Sequence, residues 1–566
     1  MLVGIDLGTT NSAVACFRDG APVLIPNSLG DLLTPSAVSM TEDCALLVGR
    51  AARDRQSTHP AMTATAFKRH MGTNKRLTLG RRNFMPEDLS ALVLQSLKAD
   101  AETWSGEAVT GAVITVPAYF NDRQRKATRR AGELAGLAVE RLVNEPTAAA
   151  LAYGIHERAD REPFLIFDLG GGTFDVSIVE VFDGVVEVRA SAGDNRLGGE
   201  DFNDVVVGLV RARIDPNGTL GGMRKSVLAE VMRAAAERTR RALSEADAAP
   251  FDIVWDDQAH TVTITAADFE EAAGPLLQRL RDPVLRSLRD SDIRVDALSE
   301  VVLVGGATRM PIVRRTVTRM FGRFPNTTLH PDHAVALGAA VQAGLKARDA
   351  ALDEVRLTDV CPFTLGVDTI ERDGGGGIRR DVFQPIIERN TVVPASRVHA
   401  FQTVADNQRA IQFNIYQGES RTASDNVHLD KIEVPVPPRP AGEVQAQVRF
   451  SYDASGLLEV DITVPATGQS YAFTISEGDG SAGDLEHRRA ALAKLKVHPG
   501  DEAANAAAMA RAERCYEAFL GDRRQHIGQM ILAFQGVLDA QEPHAIQDAR
   551  ESLEKALDQL EGERFL

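Results

Sequence analysis

The sequence predicts a multidomain chain of three classes: an α/β part built from two similar lobes, then an antiparallel β-sandwich, then a set of packed helices. Three observations predict it. A short apolar run ending in Asp-Leu-Gly and a turn of small residues occurs twice, as "VGIDLGTTNS" from Val3 and as "FLIFDLGGGTFDVSIV" from Phe164. Between 363 and 476 apolar residues alternate with polar ones. From Asp484 the chain is rich in Ala, Leu, Glu and Arg, with apolar residues at helical spacing. At 566 residues the chain exceeds what one hydrophobic core supports, so several domains are required.

Each repeated unit reads as a strand that stops at an aspartate, Asp6 or Asp168, and enters a turn where glycine lets backbone N–H groups approach a ligand. A phosphate suits such a turn. One copy alone reads equally well as a capped β-hairpin. Two copies imply two lobes facing each other across a cleft, with the amides of Gly8, Thr9, Thr10, Asn11, Gly170, Gly171 and Gly172 turned toward one ligand. A third unit, "VVLVGGATRMP" from Val301, opens onto a helix and offers Gly305, Gly306, Ala307 and Arg309 to a nucleoside. In "RAAAERTRRALS", Glu237, Arg240, Arg241 and Ser244 share one helix face, a row that otherwise reads as a solvated surface.

After Gly344 the charged stretch "KARDAALDEVRLTDV" is a linker candidate. The segments "HAFQTVADNQRAIQFNIYQGES" and "GLLEVDITVPATGQSYAFTIS" supply the alternation of the sandwich, with turn residues between strands. The last stretch reads as a helical bundle or lid.

A formal net charge of −16 argues against a nucleic-acid surface, which needs clustered Lys and Arg. The four cysteines lie far apart without a CxxC pair, so neither a disulfide framework nor a zinc site is expected. No apolar run is long enough to cross a bilayer and no signal-peptide pattern opens the chain, so a cytoplasmic protein without a membrane partner is expected.

With "AVITVPAYFNDRQRKAT" from Ala112, "NEPTAAALAYG" from Asn144 and "LGGEDF" from Leu197, the chain resembles the DnaK-type seventy-kilodalton heat-shock chaperones over nearly its whole length. The short segment between Lys68 and Pro117 and the compact C-terminal end look most like the short HscC branch. The resemblance implies an actin-like ATPase domain over 1–350, a linker over 351–361, a substrate-binding sandwich over 362–480 and a helical lid over 481–566. It also implies ATP/ADP with Mg2+, K+ as a further candidate ion, capture of unfolded or extended peptides, and stimulation by a J-domain co-chaperone. Whether an exchange factor is needed stays open.

Residue roles follow from the same resemblance. Asp6 and Asp168 would hold Mg2+, Lys68 would orient the attacking water, and Glu145 and Asp175 would position it or accept its proton, with Thr173 against the γ-phosphate. Lys68 otherwise reads as a surface lysine, and Glu145 as a helix-start residue beside Pro146. Gly198, Gly199 and Asp332 complete the nucleotide set, and Arg240 stands where the family usually has lysine. The peptide pocket would use Val367, Ile370, Phe401, Val404, Ile411 and Phe413. Ile411 replaces the usual valine there and would narrow the pocket; alternation alone reads these residues as core. Arg356 and Thr358 interrupt the usual linker leucines while Asp359 remains. Arg125, Arg141, Asn144 and Thr147 match positions that sense a J-domain or relay nucleotide state. Two other classes stay open, a phosphotransferase acting on a small hydroxyl compound and an actin-like filament subunit, and both leave the sandwich unexplained.

Overall fold

The computed structural model of the chain describes all residues except 157–160, 183–184, 219, 221–224, 256–257, 329, 349–351, 353–355, 373–377, 394, 453–457, 476–500, 520, 541–542 and 563–566. Val355 of the expected linker and 481–500 of the expected lid lie outside the described residues.

Two mixed sheets build the first part. In one, β1 (Leu2–Asp6), β2 (Asn11–Arg18), β3 (Ala21–Ile25), β4 (Gly111–Val116) and β5 (Ala138–Asn144) lie in the order β5-β4-β1-β2-β3. In the other, β6 (Arg161–Leu169), β7 (Phe174–Phe182), β8 (Val185–Asp194), β9 (Val301–Val304) and β10 (Arg356–Val360) lie in the order β9-β6-β7-β8-β10. The pairing repeats: β1 runs antiparallel to β2 and parallel to β4, as β6 runs antiparallel to β7 and parallel to β9. In both sheets the repeated hairpin joins the two central antiparallel strands. β4 and β9 are buried along their whole length, as expected of strands covered on both faces.

Helices α1 (Gly199–Ile214), α2 (Lys225–Ala242) and α3 (Gly274–Ser291) belong to the second lobe, and α4 (Ala334–Ala347) packs on β1 and β2 of the first. α4 is mostly alanine and glycine, which permits close approach. A Cβ at Gly338 would run into the carbonyl of Ala148 on the helix Glu145–His156. The contact therefore depends on glycine at that position, and it ties the two lobes together at the base of the cleft.

Beyond residue 361, Leu365–Arg372, Ile378–Ile387, Ala410–Gln417 and Val427–Pro435 form one four-stranded antiparallel sheet. Ala395–Gln402, Gln445–Tyr452, Leu458–Val464 and Gln469–Thr474 form a second. The two sheets share one core that includes Val367, Ile415, Val448, Phe450 and Ile462, all fully buried. Helices α5 (Asp501–Ala518), α6 (Asp522–Ala540) and α7 (Pro543–Gly562) close around Ala512, Cys515, Ile527 and Leu557. α5 also packs on the short helix Arg50–Asp54 of the first lobe, where Arg55 lies 3.9 Å from Glu513.

The connecting segment differs from a free linker. Arg356–Val360 is strand β10, parallel to β8, with Leu357 opposite Val186 and Thr358 opposite Glu187. Strand pairing uses the backbone, so polar residues do not prevent it. Leu357 and Val360 supply enough apolar surface to join the core that holds Val186 and Val188.

Candidate functional site

A cleft of about 1230 Å³ lies between the lobes. Its lining includes Asp6, Gly8, Thr9, Thr10, Asn11, Lys68, Glu145, Asp168, Gly170, Gly171, Thr173, Gly199, Glu237, Arg240, Arg241, Ser244, Gly305, Gly306, Ala307, Arg309 and Asp332, and also residues not expected from sequence, among them the loop 30–33, Met310, Arg314, Thr327 and Thr328. All three strand-turn units and the Glu237, Arg240, Arg241 and Ser244 row of α2 and its following turn thus meet at one place. Gly172, Asp175 and Gly198 do not line it. Gly198 packs directly behind the Gly170–Gly172 turn, where a Cβ would lie 2.6 Å from the Gly171 carbonyl carbon. The two hairpin turns touch across the cleft, since a Cβ at Gly171 would strike the Thr10 hydroxyl.

Lys68 sits on the 3-10 turn Phe67–His70 and is 2% exposed, which excludes a surface role. Its Nζ donates to Glu145 Oε1 at 2.6 Å and lies 5.5 Å from the Phe120 ring. Asp6 Oδ1 accepts from Thr115 Oγ1 at 3.1 Å, and Asp175 Oδ1 accepts from the Tyr119 amide at 3.1 Å. Burial, with the charge of Glu145 next, pushes Asp6 up to about 7 and Asp175 up to about 8. Asp168 is raised well above the carboxylate range by burial and then by Glu145, Asp175 and Asp6. Its buried Oδ2 has no hydrogen-bond partner among the described residues. Four acidic side chains around one lysine leave excess negative charge that a cation would offset. Among the described residues no three His, Cys, Asp or Glu side chains are placed to ligate a metal directly. The donor set therefore fits an ion such as Mg2+ that keeps most of its waters.

At the other end of the cleft, Glu237 is held by Arg241 at 2.7 Å and by Arg53 from the opposite lobe. Arg240 Nε donates to Asn203 Oδ1 at 2.7 Å, and Asn203 Nδ2 donates to Glu200 Oε2 at 3.2 Å. Because a carboxylate only accepts, Glu200 orients the Asn203 amide so that its oxygen faces Arg240. Burial, followed by the charge of Arg241, pushes Arg240 down to about 10. Arg309 pairs with Asp332, beside the stacked rings of His330 and His333, 3.8 Å apart. Glu200, Asn203, Arg53 and the two histidines were not singled out from sequence. Glu200 and Asn203 lie three apart at the start of α1, within and just after "LGGEDF", so that spacing could have found them; nothing local points to Arg53.

The Hsp70 protein family model matches residues 2–565. This chain belongs to the Hsp70 family. Hsp70 membership carries ATPase activity, use of ATP/ADP with Mg2+ and ATP-dependent chaperone function, and Hsp70 proteins generally bind client polypeptides and J-domain co-chaperones. Among the described residues of this Hsp70, no helix is long and apolar enough to cross a membrane.

The six pocket residues expected in the sandwich fall into two groups. Val367, Ile411 and Phe413 are buried in the shared core, with the Phe401 ring 5.4 Å from that of Phe413. Ile370 and Val404 are exposed and stand outside it. On the linker strand, Asp359 accepts from Asn144 Nδ2 at 2.9 Å and from Thr147 Oγ1 at 3.3 Å. Arg125 NH2 donates to Asn144 Oδ1 at 2.6 Å, and burial raises the Asp359 carboxyl. Arg141 lies on β5 near this group and adds to the positive charge felt by Asp359.

Proposed function

We propose that this Hsp70 uses ATP hydrolysis in the interlobe cleft to control capture and release of extended, apolar peptide segments by the β-sandwich. The observation that carries the reading is the buried Lys68–Glu145 pair beside Asp6 and Asp168, in a cleft whose far end carries the Glu237, Arg240, Arg241 and Ser244 row. We assign the nucleotide-binding domain to 1–350, the linker to 351–361, the substrate domain to 362–480 and the lid to 481–566.

The turn amides of Gly8, Thr9, Thr10, Gly170 and Gly171 bind the phosphates, and the α2 row with Gly305–Arg309 binds the nucleoside. Bound Mg2+, held by Asp6 and Asp168 largely through water, would offset charge on the phosphate oxygens, with K+ as a second candidate ion. Lys68 orients the attacking water, a role its fixed bond to Glu145 supports, because the ammonium has little freedom to wander. Glu145 and Asp175 position the water or take up its proton, and burial supports this for Asp175 by raising its carboxyl above the usual carboxylate range. Thr173 lies against the terminal phosphate. Peptide binds through Val367, Ile370, Phe401, Val404, Ile411 and Phe413; exposure of Ile370 and Val404 supports an accessible apolar site. A J-domain co-chaperone stimulates hydrolysis through the Arg125, Arg141, Asn144, Thr147 and Asp359 cluster, in the cytoplasm.

The test is the steady-state ATPase rate with and without an unfolded peptide, alongside a search for phosphorylated small-molecule products. Stimulation by peptide, with inorganic phosphate as the sole product, is the expected result. A phosphorylated acceptor and a rate indifferent to peptide would replace this reading with that of a phosphotransferase.

A further inference from the structure

We propose that the hairpin formed by Leu77–Leu79 and Arg82–Phe84 on the first lobe is a docking surface for a short acidic segment of a partner protein. The chain carries a net charge of −16, yet from Arg55 through Pro86 it contains no Asp or Glu while Arg55, Lys68, Arg69, Lys75, Arg76, Arg81 and Arg82 all fall there. Three of these cations are used within the fold: Lys68 on Glu145, Arg69 on Asp201 at 3.0 Å and Arg55 near Glu513. The rest gather on and beside the hairpin. Lys75 donates to His70 Nε2 at 2.7 Å, and Arg76, Arg81 and Arg82 are exposed with no ion-pair or hydrogen-bond partner among the described residues. Elsewhere Arg213, Arg279, Arg315 and Arg421 each hold a carboxylate, and single arginines such as Arg281, Arg319 and Arg439 are exposed without a side-chain partner among the described residues. The hairpin differs in carrying three such arginines within seven positions of a stretch that has no acidic residue.

Next to the hairpin, His70 is held neutral by burial and by cations of both lobes. His70 is pushed down to about 4, first by burial and then by Lys75, Arg69, Arg196 and Arg233. The hairpin is also rigidly mounted. Leu79 and Phe84 are buried in the lobe core, and Gly80, at φ 60, opens the two-residue turn above Met62 and Met40. Arg82 on the ribbon, Arg81 in its turn and Arg76 just before its first strand offer bidentate guanidinium geometry to carboxylates from a fixed backbone. A short acidic peptide stays within the ribbon. A long polyanion such as nucleic acid would extend over a surface that is negative overall, where repulsion acts within a Debye length of about 8 Å.

The experiment measures fluorescence anisotropy of a labelled Glu-Gly repeat peptide, which has no apolar residue for the sandwich to capture, titrated with the full chain at low ionic strength. Wild type should bind, with affinity falling as salt rises. The variant R76S/R81S/R82S should lose about tenfold, as expected for three exposed charge contacts, while R213S/R315S/R421S, with the same change in net charge, should bind as wild type does. If the triple variant melts at a lower temperature than wild type, Arg81→Ser alone carries the comparison. No binding by wild type, equal binding by the hairpin variant, or equal loss in the control variant overturns the proposal. Tighter binding of an oligothymidylate of matched charge through the same arginines overturns it in favour of a nucleic-acid site.

Discussion

At the scale of single residues, Lys68, Asn203 and Asp100 each make a separable expectation. Lys68→Ala should leave nucleotide affinity nearly unchanged and lower single-turnover hydrolysis by orders of magnitude, because positioning acts mainly in the transition state. Calorimetric affinity and single-turnover rate, measured on the same preparation, check the separation; equal losses would make Lys68 an ordinary binding contact. Asn203→Leu removes the acceptor that holds Arg240 and leaves the phosphate end untouched. ATP affinity should weaken by roughly tenfold, in line with a hydrogen bond to a charged group, while single-turnover hydrolysis of bound ATP changes little. Asp100 is buried, accepts from the Ser28 amide at 3.2 Å, and is pushed up to about 6 by burial. Folding then favours the protonated acid. Its contribution to stability is complete below the unfolded value of about 4 and is lost as pH rises through about 6. Asp100→Asn keeps an acceptor for Ser28 and cannot ionise, so it should stabilise by about 1–3 kcal/mol at pH 8 and give no gain at pH 4. Melting temperatures at the two pH values test this.

At the scale of elements, strand β10 shows how the segment between the two halves is held. The interruptions Arg356 and Thr358 argue for a weakly held linker, whereas the backbone of Arg356–Val360 completes a sheet and its Asp359 carboxylate meets Asn144 and Thr147. Asn144 is followed directly by Glu145, the partner of Lys68, so the linker strand and the cleft share one short stretch of chain. Leu357→Ala removes part of the apolar surface that seats the strand, a loss of about 1–2 kcal/mol for a half-buried leucine. The difference in labelled-peptide affinity between the ATP and ADP states should shrink accordingly. An unchanged difference would mean that nucleotide state reaches the sandwich by another contact. The repeated hairpins, by contrast, were fully legible, because an apolar run, an aspartate and a glycine turn are local signals.

At the scale of the whole molecule, the sandwich is clasped to the second lobe. Arg389 donates to Asp290 at 2.7 Å and to Glu419 at 2.6 Å, and Asn390 reaches both Asp290 and the Ser191 amide at 3.0 Å. These hydrogen bonds hold the Arg389 guanidinium well above its usual range. A second set crosses to the first lobe: Asp122 N to Gln417, Arg123 to the His428 carbonyl and Lys126 to the Ile475 carbonyl. Arg389→Ala should raise amide exchange on both faces of this contact, at α3 (Gly274–Ser291) and at the strand Ile378–Ile387 that leads into Arg389, without altering exchange in α6 and α7. Asp290→Ala should reproduce the effect, and the double variant should add little, since both remove one interaction.

The sequence by itself determined the three-part order of the chain, the two related hairpins, and the turn residues and the Glu237–Ser244 row that line the cleft, because these are written in neighbouring residues: turn glycines, strand alternation and helical spacing. Lys68, Glu145, Thr173 and Asp332 were assigned through the family resemblance instead. Tertiary structure decided what those residues do to one another. Lys68 is a buried partner of Glu145 across 77 positions, Arg53 reaches Glu237 across 184, and Asn144 reaches Asp359 across 215. It also buries Val367, Ile411 and Phe413 while leaving Ile370 and Val404 exposed, and it pairs Arg356–Val360, within the expected linker, with β8. The physical reason is the same in each case: periodicity reports which face of an element is apolar, whereas burial of a charge and the identity of its partner depend on surfaces that meet only when the chain is folded.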